Sequence, residues 1–441
     1  MKHFKYSLSG LTLYLTLFLF LGLNQVKAAT ISGTVFTYTA TSTPNVFLVT
    51  LKVYRNCASS AMCTNCSSGQ CFSSVYVTGD AVVCGTYLLG TINFTLASNS
   101  PVYDAVQLCS MEKTICSNCG TRTPGSFTPG VEVYTFQSLV DLSTLPTACC
   151  MVDIGYSCVC RNTSLINIAS PSDNGYYDKI TINRCVLPSN NSVVYDGDPN
   201  FTFCSGVYQT ISNGVIDPDG DSLTFSLGSS LVHSTINANY AIPYSPSVPF
   251  PYFGMPLQSP PALAPIGIKV SAHTGAVSVQ PVGSFVAELV LETKEWRKVN
   301  NTPTLVGISR RDYVIDVKNC PSNPIIPFKK YDENGAYLGT LGNENFDSIN
   351  VCEGIPFCRT YVAMGDASVA DTTNFIWNIL SAMPGASITR LYNYAMRNVN
   401  GPRHDSIKIC WTPPIGSAKI RPYLINFEAR DNACPIPMIA R

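Results

Sequence analysis

Nineteen cysteines, all from Cys57 onward, constrain this chain more than any other feature of its 441 residues. They are Cys57, Cys63, Cys66, Cys71, Cys84, Cys109, Cys116, Cys119, Cys149, Cys150, Cys158, Cys160, Cys185, Cys204, Cys320, Cys352, Cys358, Cys410 and Cys434. In an oxidising compartment such cysteines pair, and each pair fixes which distant segments must meet. The number is odd, so at least one is free or joined to another chain. Cys63-x-x-Cys66 and Cys116-x-x-Cys119 also have the form of zinc half-sites, but their separation is far beyond a zinc ribbon and favours disulfides. Adjacent Cys149 and Cys150 do not pair easily with each other, so each needs its own partner. Cys352, Cys358, Cys410 and Cys434 form an even local set of four.

The N-terminus agrees with an oxidising destination. Lys2, His3 and Lys5 precede the short apolar run Leu11–Leu23, and Val26-Lys27-Ala28 has the small residues of a cleavage site. Residues 1–28 therefore read as a signal peptide. No later segment approaches the ~18 apolar residues of a membrane span. Charged residues are 13 % of the chain, against the usual ~25 %, and 28 basic side chains balance 28 acidic ones. Such a chain has no net field to attract nucleic acid or an anionic membrane. Its 23 tyrosines and neutral polar surface suit contact with glycans or with other β-domains.

Thirty glycines and 30 prolines among many Thr and Val predict strands joined by turns. The clearest instance is Val215–Gly228, V-I-D-P-D-G-D-S-L-T-F-S-L-G. A Pro-Asp-Gly turn feeds a strand with Leu223, Phe225 and Leu227 on one face and Ser222, Thr224 and Ser226 on the other. Further strands are expected at Val35–Thr39, Phe47–Tyr54, Tyr87–Leu96, Glu132–Leu139, Tyr177–Asn183, Phe285–Leu291, Asp312–Val317, Phe375–Leu380 and Ile407–Trp411. Glu295-Trp296-Arg297 reads as a hairpin turn, and the proline-rich loop Pro243–Pro265 as a cover over a sheet face or edge. The fold class is all-β: tandem immunoglobulin- or cadherin-like β-sandwiches stapled by disulfides. Residues 29–195 form a cysteine-rich β-domain, 196–320 a cadherin-like sandwich and 321–441 an immunoglobulin-like sandwich.

Asp217, Asp219 and Asp221, with Asp196 and Asp198 nearby, offer oxygen ligands for calcium. The alternative is a solvated turn whose aspartates cap backbone amides. An EF-hand is excluded, because Ser222 and Gly228 stand where that loop needs Gly and Glu. A weaker echo lies at Asp366 and Asp371. No other cofactor is implied. His233, His273 and His404 lack any metal or triad context, and no hydrolase or nucleotide motif occurs, so no enzyme is expected.

Eight segments stand in order along the chain: L-K-V-Y-R-N-C at Leu51–Cys57, C-R-N-T-S-L-I-N-I at Cys160–Ile168, D-P-D-G-D-S-L at Asp217–Leu223, Pro-Tyr-Ser-Pro from Pro243, Thr274-Gly275, Arg-Arg-Asp-Tyr from Arg310, Cys-Trp-Thr-Pro from Cys410 and Arg-Asp-Asn-Ala-Cys-Pro from Arg430. Together they resemble the N-terminal region of large secreted surface proteins of Bacteroidota-type bacteria, gliding-motility-associated or carried by the type IX secretion system. The resemblance implies a secreted cell-surface adhesion or scaffolding role, with other surface proteins, further copies of itself or glycans as partners. The cysteine-rich insert Cys57–Cys84 is no part of that pattern. Such proteins continue into further domains, so the chain reads as a fragment or a short version. Two alternatives remain: an extracellular filament subunit that assembles by strand exchange, with Thr30–Thr39 as donor, and a carbohydrate-binding module or hydrolase accessory protein.

Overall fold

The computed structural model describes residues 31–57, 74–81, 87–98, 100–106, 108, 114–117, 130–158, 161–258, 266–320, 328–341, 347–363, 373–379, 383, 385–391, 404–418, 423, 425–432, 437 and 439–440. The signal peptide, Cys63, Cys66, Cys71, Cys84, Cys109, Cys119, Cys160, Cys434, Asp366 and Asp371 lie outside these residues.

The first segment supplies β1 (Ile31–Ala40), β2 (Val46–Asn56), β3 (Ser74–Ala81), β4 (Tyr87–Leu96), β5 (Tyr103–Asp104), β6 (Val131–Asp141), β7 (Met151–Cys158), β8 (Tyr176–Asn183) and β9 (Val194–Tyr195). The second adds β10 (Thr202–Cys204), β11 (Gln209–Ile211), β12 (Val215–Ile216), β13 (Ser222–Leu227), β14 (Leu231–His233), β15 (Ile236–Asn237), β16 (Ile268–Val270), β17 (Val277–Val279), β18 (Phe285–Val299) and β19 (Thr302–Lys318). The third adds β20 (Lys329–Tyr331), β21 (Tyr337–Thr340), β22 (Phe357–Ala363), β23 (Asn374–Ile379), β24 (Ser387–Arg390), β25 (Asp405–Trp411), β26 (Ile425–Arg430) and β27 (Ile439–Ala440). The chain is all-β, and no helix among the described residues is long and apolar enough to cross a membrane.

β1 pairs with β2 on one side and with β19 on the other, Gly33 facing Tyr313 and Val35 facing Arg311. β19 also pairs with β8, so the strands β1-β2-β6-β4-β3-β7-β8 curl round and return to it. Inside lie Phe36, Tyr38, Phe47, Leu51, Phe136, Ile154 and Ile180. A second core lies on the other face of β1, β2 and β6, where Val35, Tyr54 and Val133 meet Phe203, Val277, Leu289 and Ile315. Because successive side chains in a strand point to opposite faces, β1 serves both cores and is buried along most of its length. The sheet thus runs through the boundary expected at residues 195/196. Within β1, Gly33–Val35 are paired by their own chain on both edges.

Gly33 allows this crossing. Its φ is +148°, and a Cβ there would lie 2.4 Å from the Asp312 carbonyl oxygen and 2.8 Å from the Tyr313 Cα. Both are backbone atoms of a central strand, so neither can yield cheaply. Gly33→Ala is expected to cost ~2–4 kcal/mol in urea unfolding, as strain at a special φ plus overpacking.

The proline-rich loop does cover a sheet face: Phe250 is fully buried, with its ring 5.6 Å from Phe285, and Val248 and Tyr252 join the same core. Glu295-Trp296-Arg297 is not a turn. It lies within β18, and the reversal comes at Asn300-Asn301, both at positive φ (49° and 64°). Asparagine tolerates the left-handed region that a two-residue hairpin turn requires.

The third segment has its own core, in which Phe328, Phe375 and Phe427 pack together between the sheet β21-β20-β22-β25-β24 and the sheet β23-β26-β27. Disulfides join Cys57–Cys116, Cys150–Cys185, Cys204–Cys320 and Cys358–Cys410. Cys116 is thus a disulfide partner rather than a zinc ligand, and Cys149 is bonded separately from Cys150. Of the expected local set of four, Cys358 and Cys410 face each other across β22 and β25 at a Cα separation of 4.2 Å. That register selects them, and Cys352, in an exposed loop, stays a free thiol.

Candidate functional site

The acidic turn is built as a clasp. Gly220 at φ +81° lets its N–H reach the Asp217 carbonyl, and the Asp221 N–H donates to Asp217 Oδ1 at 2.8 Å. Asp221 is buried and accepts Arg297 Nε and Nη2 at 2.5 and 2.7 Å. Asp219 accepts the Asn191 N–H at 2.6 Å and its side-chain amide at 2.7 Å, with Arg297 Nη2 3.3 Å away. A fork of guanidinium donors matches a carboxylate in two bonds, so Arg297 already supplies the positive charge that this turn attracts.

The expected five carboxylates do not come together. The group whose oxygens converge within 4.8 Å is Asp217, Asp221 and Glu295. Glu295 was not anticipated. It follows Leu289, Leu291 and Thr293 at every second position on the inward face of β18, where it is fully buried. There it accepts Ser309 Oγ at 3.1 Å, Asn190 Nδ2 at 3.3 Å and the Val193 N–H at 3.4 Å. Burial first, and then the Asp217 charge, push the Glu295 carboxyl up to about 8. Burial likewise raises Asp217 to about 6, and Asp217 Oδ2 is buried with no hydrogen-bond partner. Near neutrality Glu295 is therefore protonated beside an ionised Asp217.

A hard cation here would have to displace both that proton and Arg297. Millimolar calcium is accordingly expected to leave the melting temperature near pH 7 unchanged, and a rise of several degrees would reassign the turn as a metal site.

The sign of the pH dependence follows from the raised values. A carboxyl at about 8 in the fold and at 4.5 when unfolded binds a proton on folding, so its contribution is complete below pH 4.5 and lost as pH rises through 8. Glu295→Gln cannot release that proton. The variant should lose the part of the slope due to this group between pH 5 and 8, up to about 1.4 kcal/mol per pH unit. Urea midpoints measured across that range check it.

Asp196 and Asp198 belong to a different place. The loop they share with Gly197 is held from beneath by Arg311, which is wholly buried and donates to the Gly197 carbonyl at 2.6 Å and the Asn213 carbonyl at 3.0 Å. The same guanidinium lies over the Tyr195 ring, 4.9 Å from its centroid. Asp198 accepts the hydroxyls of Tyr54 at 2.9 Å and Tyr103 at 2.6 Å, with Lys52 Nζ 3.5 Å away. Asp196 accepts Asn426 Nδ2 at 2.6 Å, a bond that ties the C-terminal sandwich to the rest of the chain.

Beside this bond lies an open cleft of about 610 Å³. One wall is formed by Tyr103 and the Asp196–Asp198 loop, the other by Ile376 and Trp377 on β23 and by Asn426, Glu428 and Arg430 on β26. The three β26 residues are two apart, so the strand turns all of them to one face. No feature of the sequence marked them, because their meeting with Tyr103 depends on how the C-terminal sandwich docks. No histidine joins the groups of potential metal ligands found among the described residues.

Comparison with known proteins finds no matching family and no matching curated protein.

Proposed function

We propose that this chain is a secreted, non-enzymatic protein of the cell surface with an adhesive or scaffolding role, akin to the gliding-motility-associated, type IX-secreted proteins that its motifs resemble. The observation that carries this reading is the bracing of the β-framework. Disulfides staple all three segments, and the buried Arg311 locks the loop that faces the cleft. A stiff frame with a wide, pre-shaped cleft suits holding a partner, and disulfides fit an oxidising exterior. The leader-like N-terminus and the low charge support the same location. Strand exchange through β1 is disfavoured by the pairing of Gly33–Val35 on both edges.

The test is protease treatment of intact cells that produce the chain, combined with adhesion of beads coated with the purified protein. The reading expects the chain to be digested from the outside and the beads to adhere. A protected, cytoplasmic chain would overturn it.

A further inference from the structure

The larger sheet of the C-terminal sandwich, β21-β20-β22-β25-β24, has one face on the third core and one turned away from it. Tyr361, Ile407 and Ile409 lie on the core face, and Lys330 joins them there by meeting Asp347 beside the Tyr361 hydroxyl. Alternation therefore sends Lys329, Tyr331, Thr360, Lys408 and Thr389 to the outer face. The register sets four of them in line: Tyr331 faces Thr360, Thr360 faces Lys408, and Lys408 faces Thr389. On the other side of Tyr331 the pairing shifts by one residue, so Tyr337 rather than Leu338 stands opposite it. The row Tyr337-Tyr331-Thr360-Lys408-Thr389 thus crosses the whole sheet, roughly 19 Å at ~4.8 Å per strand.

The tyrosine end of this row is open and fixed. Tyr337 is 56 % exposed, its ring centroid lies 5.5 Å from that of Tyr331, and its hydroxyl bonds Thr340 Oγ1 at 2.8 Å. The ring planes meet at 57°, so the pair forms a corner with two aromatic walls. Beside Thr360 and Lys408, the Cys358–Cys410 disulfide ties β22 to β25. The face is therefore held in shape before any ligand arrives, which lowers the ordering cost of binding.

Its charge has one sign. Lys329 stands two residues from Tyr331 and Lys408 two strands from it, and neither has an acidic partner among the described residues. Asp347 is taken by Lys330 on the core face, and Asp332 accepts the Asn334 and Ala336 N–H groups inside the hairpin turn. Glu333 follows at the tip of that turn, past the tyrosine end of the row. The surface calls for a ligand with apolar faces, hydroxyls and spaced negative charges. A chain of uronic-acid sugars has all three: C–H faces for the tyrosine corner, hydroxyls for Thr360 and Thr389, and carboxylates for the two ammonium groups. Lysine suits such a contact, because its flexible stem lets the ammonium follow carboxylates at uneven spacing.

We propose that this sheet face binds an acidic polysaccharide of uronic-acid units, laid across the strands from Tyr337 to Thr389. The site deepens the surface-adhesion reading by giving it a partner class, and it rests on that reading for its biological use only.

The experiment titrates the full mature chain with hexagalacturonate, maltohexaose and hexathymidylate, followed by calorimetry. Saturable binding of hexagalacturonate is expected, weakening as salt is raised because exposed charges are screened. The double variant Lys329→Ala/Lys408→Ala should bind about three- to tenfold more weakly, the scale of two exposed ion pairs. Tyr337→Ala should lose about tenfold, as an aromatic anchor does. None of these side chains lies in the core, and an unchanged thermal midpoint checks that each variant is folded. Lys298→Ala, an exposed basic position on β18, should bind as the native chain does. No binding of hexagalacturonate, undiminished binding in the double variant, equal binding of neutral maltohexaose, or tighter binding of hexathymidylate would each overturn the proposal. A chain that binds hexagalacturonate but is protected from protease in intact cells would overturn surface adhesion and leave the site standing. A surface chain whose beads adhere but which binds no hexagalacturonate would do the reverse.

Discussion

Replacing Arg310 with methionine is expected to lower the free energy of unfolding by about 3–5 kcal/mol, the usual result of breaking a buried ion pair from one side. Arg310 is buried on β19 and donates to Asp178 Oδ1 at 3.0 Å and to the Ser229 carbonyl at 2.6 Å. Asp178 also accepts Thr34 Oγ1 at 2.7 Å, so the cluster joins β19, β8 and β1 where the strand circuit closes. Asp312, two residues on and on the same face of β19, is fully buried with neither carboxylate oxygen hydrogen-bonded. Burial, and then the Glu288 charge, raise its carboxyl well above the ordinary range. Losing Arg310 would leave three acids near one remaining cation, Arg161, which is paired with Glu288. The urea midpoint should fall while the slope stays constant. Adding Asp178→Leu should recover part of the loss, because an apolar pair has no charge to desolvate. A single variant as stable as the native chain would show the cluster to be solvated.

Removing the Cys204–Cys320 disulfide should have an effect of similar size. It joins β10 to the residues that follow β19 and closes a span of 116 residues around the second core. Loop-closure entropy for that length predicts a loss of about 4–5 kcal/mol in Cys204→Ala/Cys320→Ala. The Cys150–Cys185 bond spans 35 residues, and the same relation makes its removal about 1 kcal/mol milder. Unfolding of both double variants in urea gives the comparison. Whole domains are stable by only ~5–15 kcal/mol, so either loss is large.

The motifs of the sequence have structural reasons that single positions hide. In Arg-Arg-Asp-Tyr, alternation on β19 sends Arg310 to Asp178 and Arg311 to the opposite face, under Gly197. In L-K-V-Y-R-N-C, Tyr54 reaches Asp198, Arg55 grips Glu132 through Nε and Nη2 at 3.1 and 2.7 Å, and Cys57 bonds Cys116. In the segment from Cys160, Arg161 pairs with Glu288 and donates to the Leu231 carbonyl at 2.6 Å. Each motif contains residues that fasten one strand to a distant one.

The sequence by itself determined the local elements. Alternation of apolar and polar residues places β2, β4, β6, β13 and β25, because one side of each strand must leave water whatever lies opposite. The turn chemistry of Pro-Asp-Gly and the disulfide nature of the cysteines are likewise properties of short segments. Which strands meet is decided only by the tertiary structure, since hydrogen-bonded pairing depends on partners hundreds of residues away. Thus β1 joins β19, and one sheet serves two cores. Asp196 and Asp198 part from Asp217, and the pairing of β18 brings Glu295 beside Asp217 and Asp221 instead. The cleft between Tyr103 and the face of β26 that carries Asn426, Glu428 and Arg430 has the same origin: its walls belong to different segments, and only their docking brings them together.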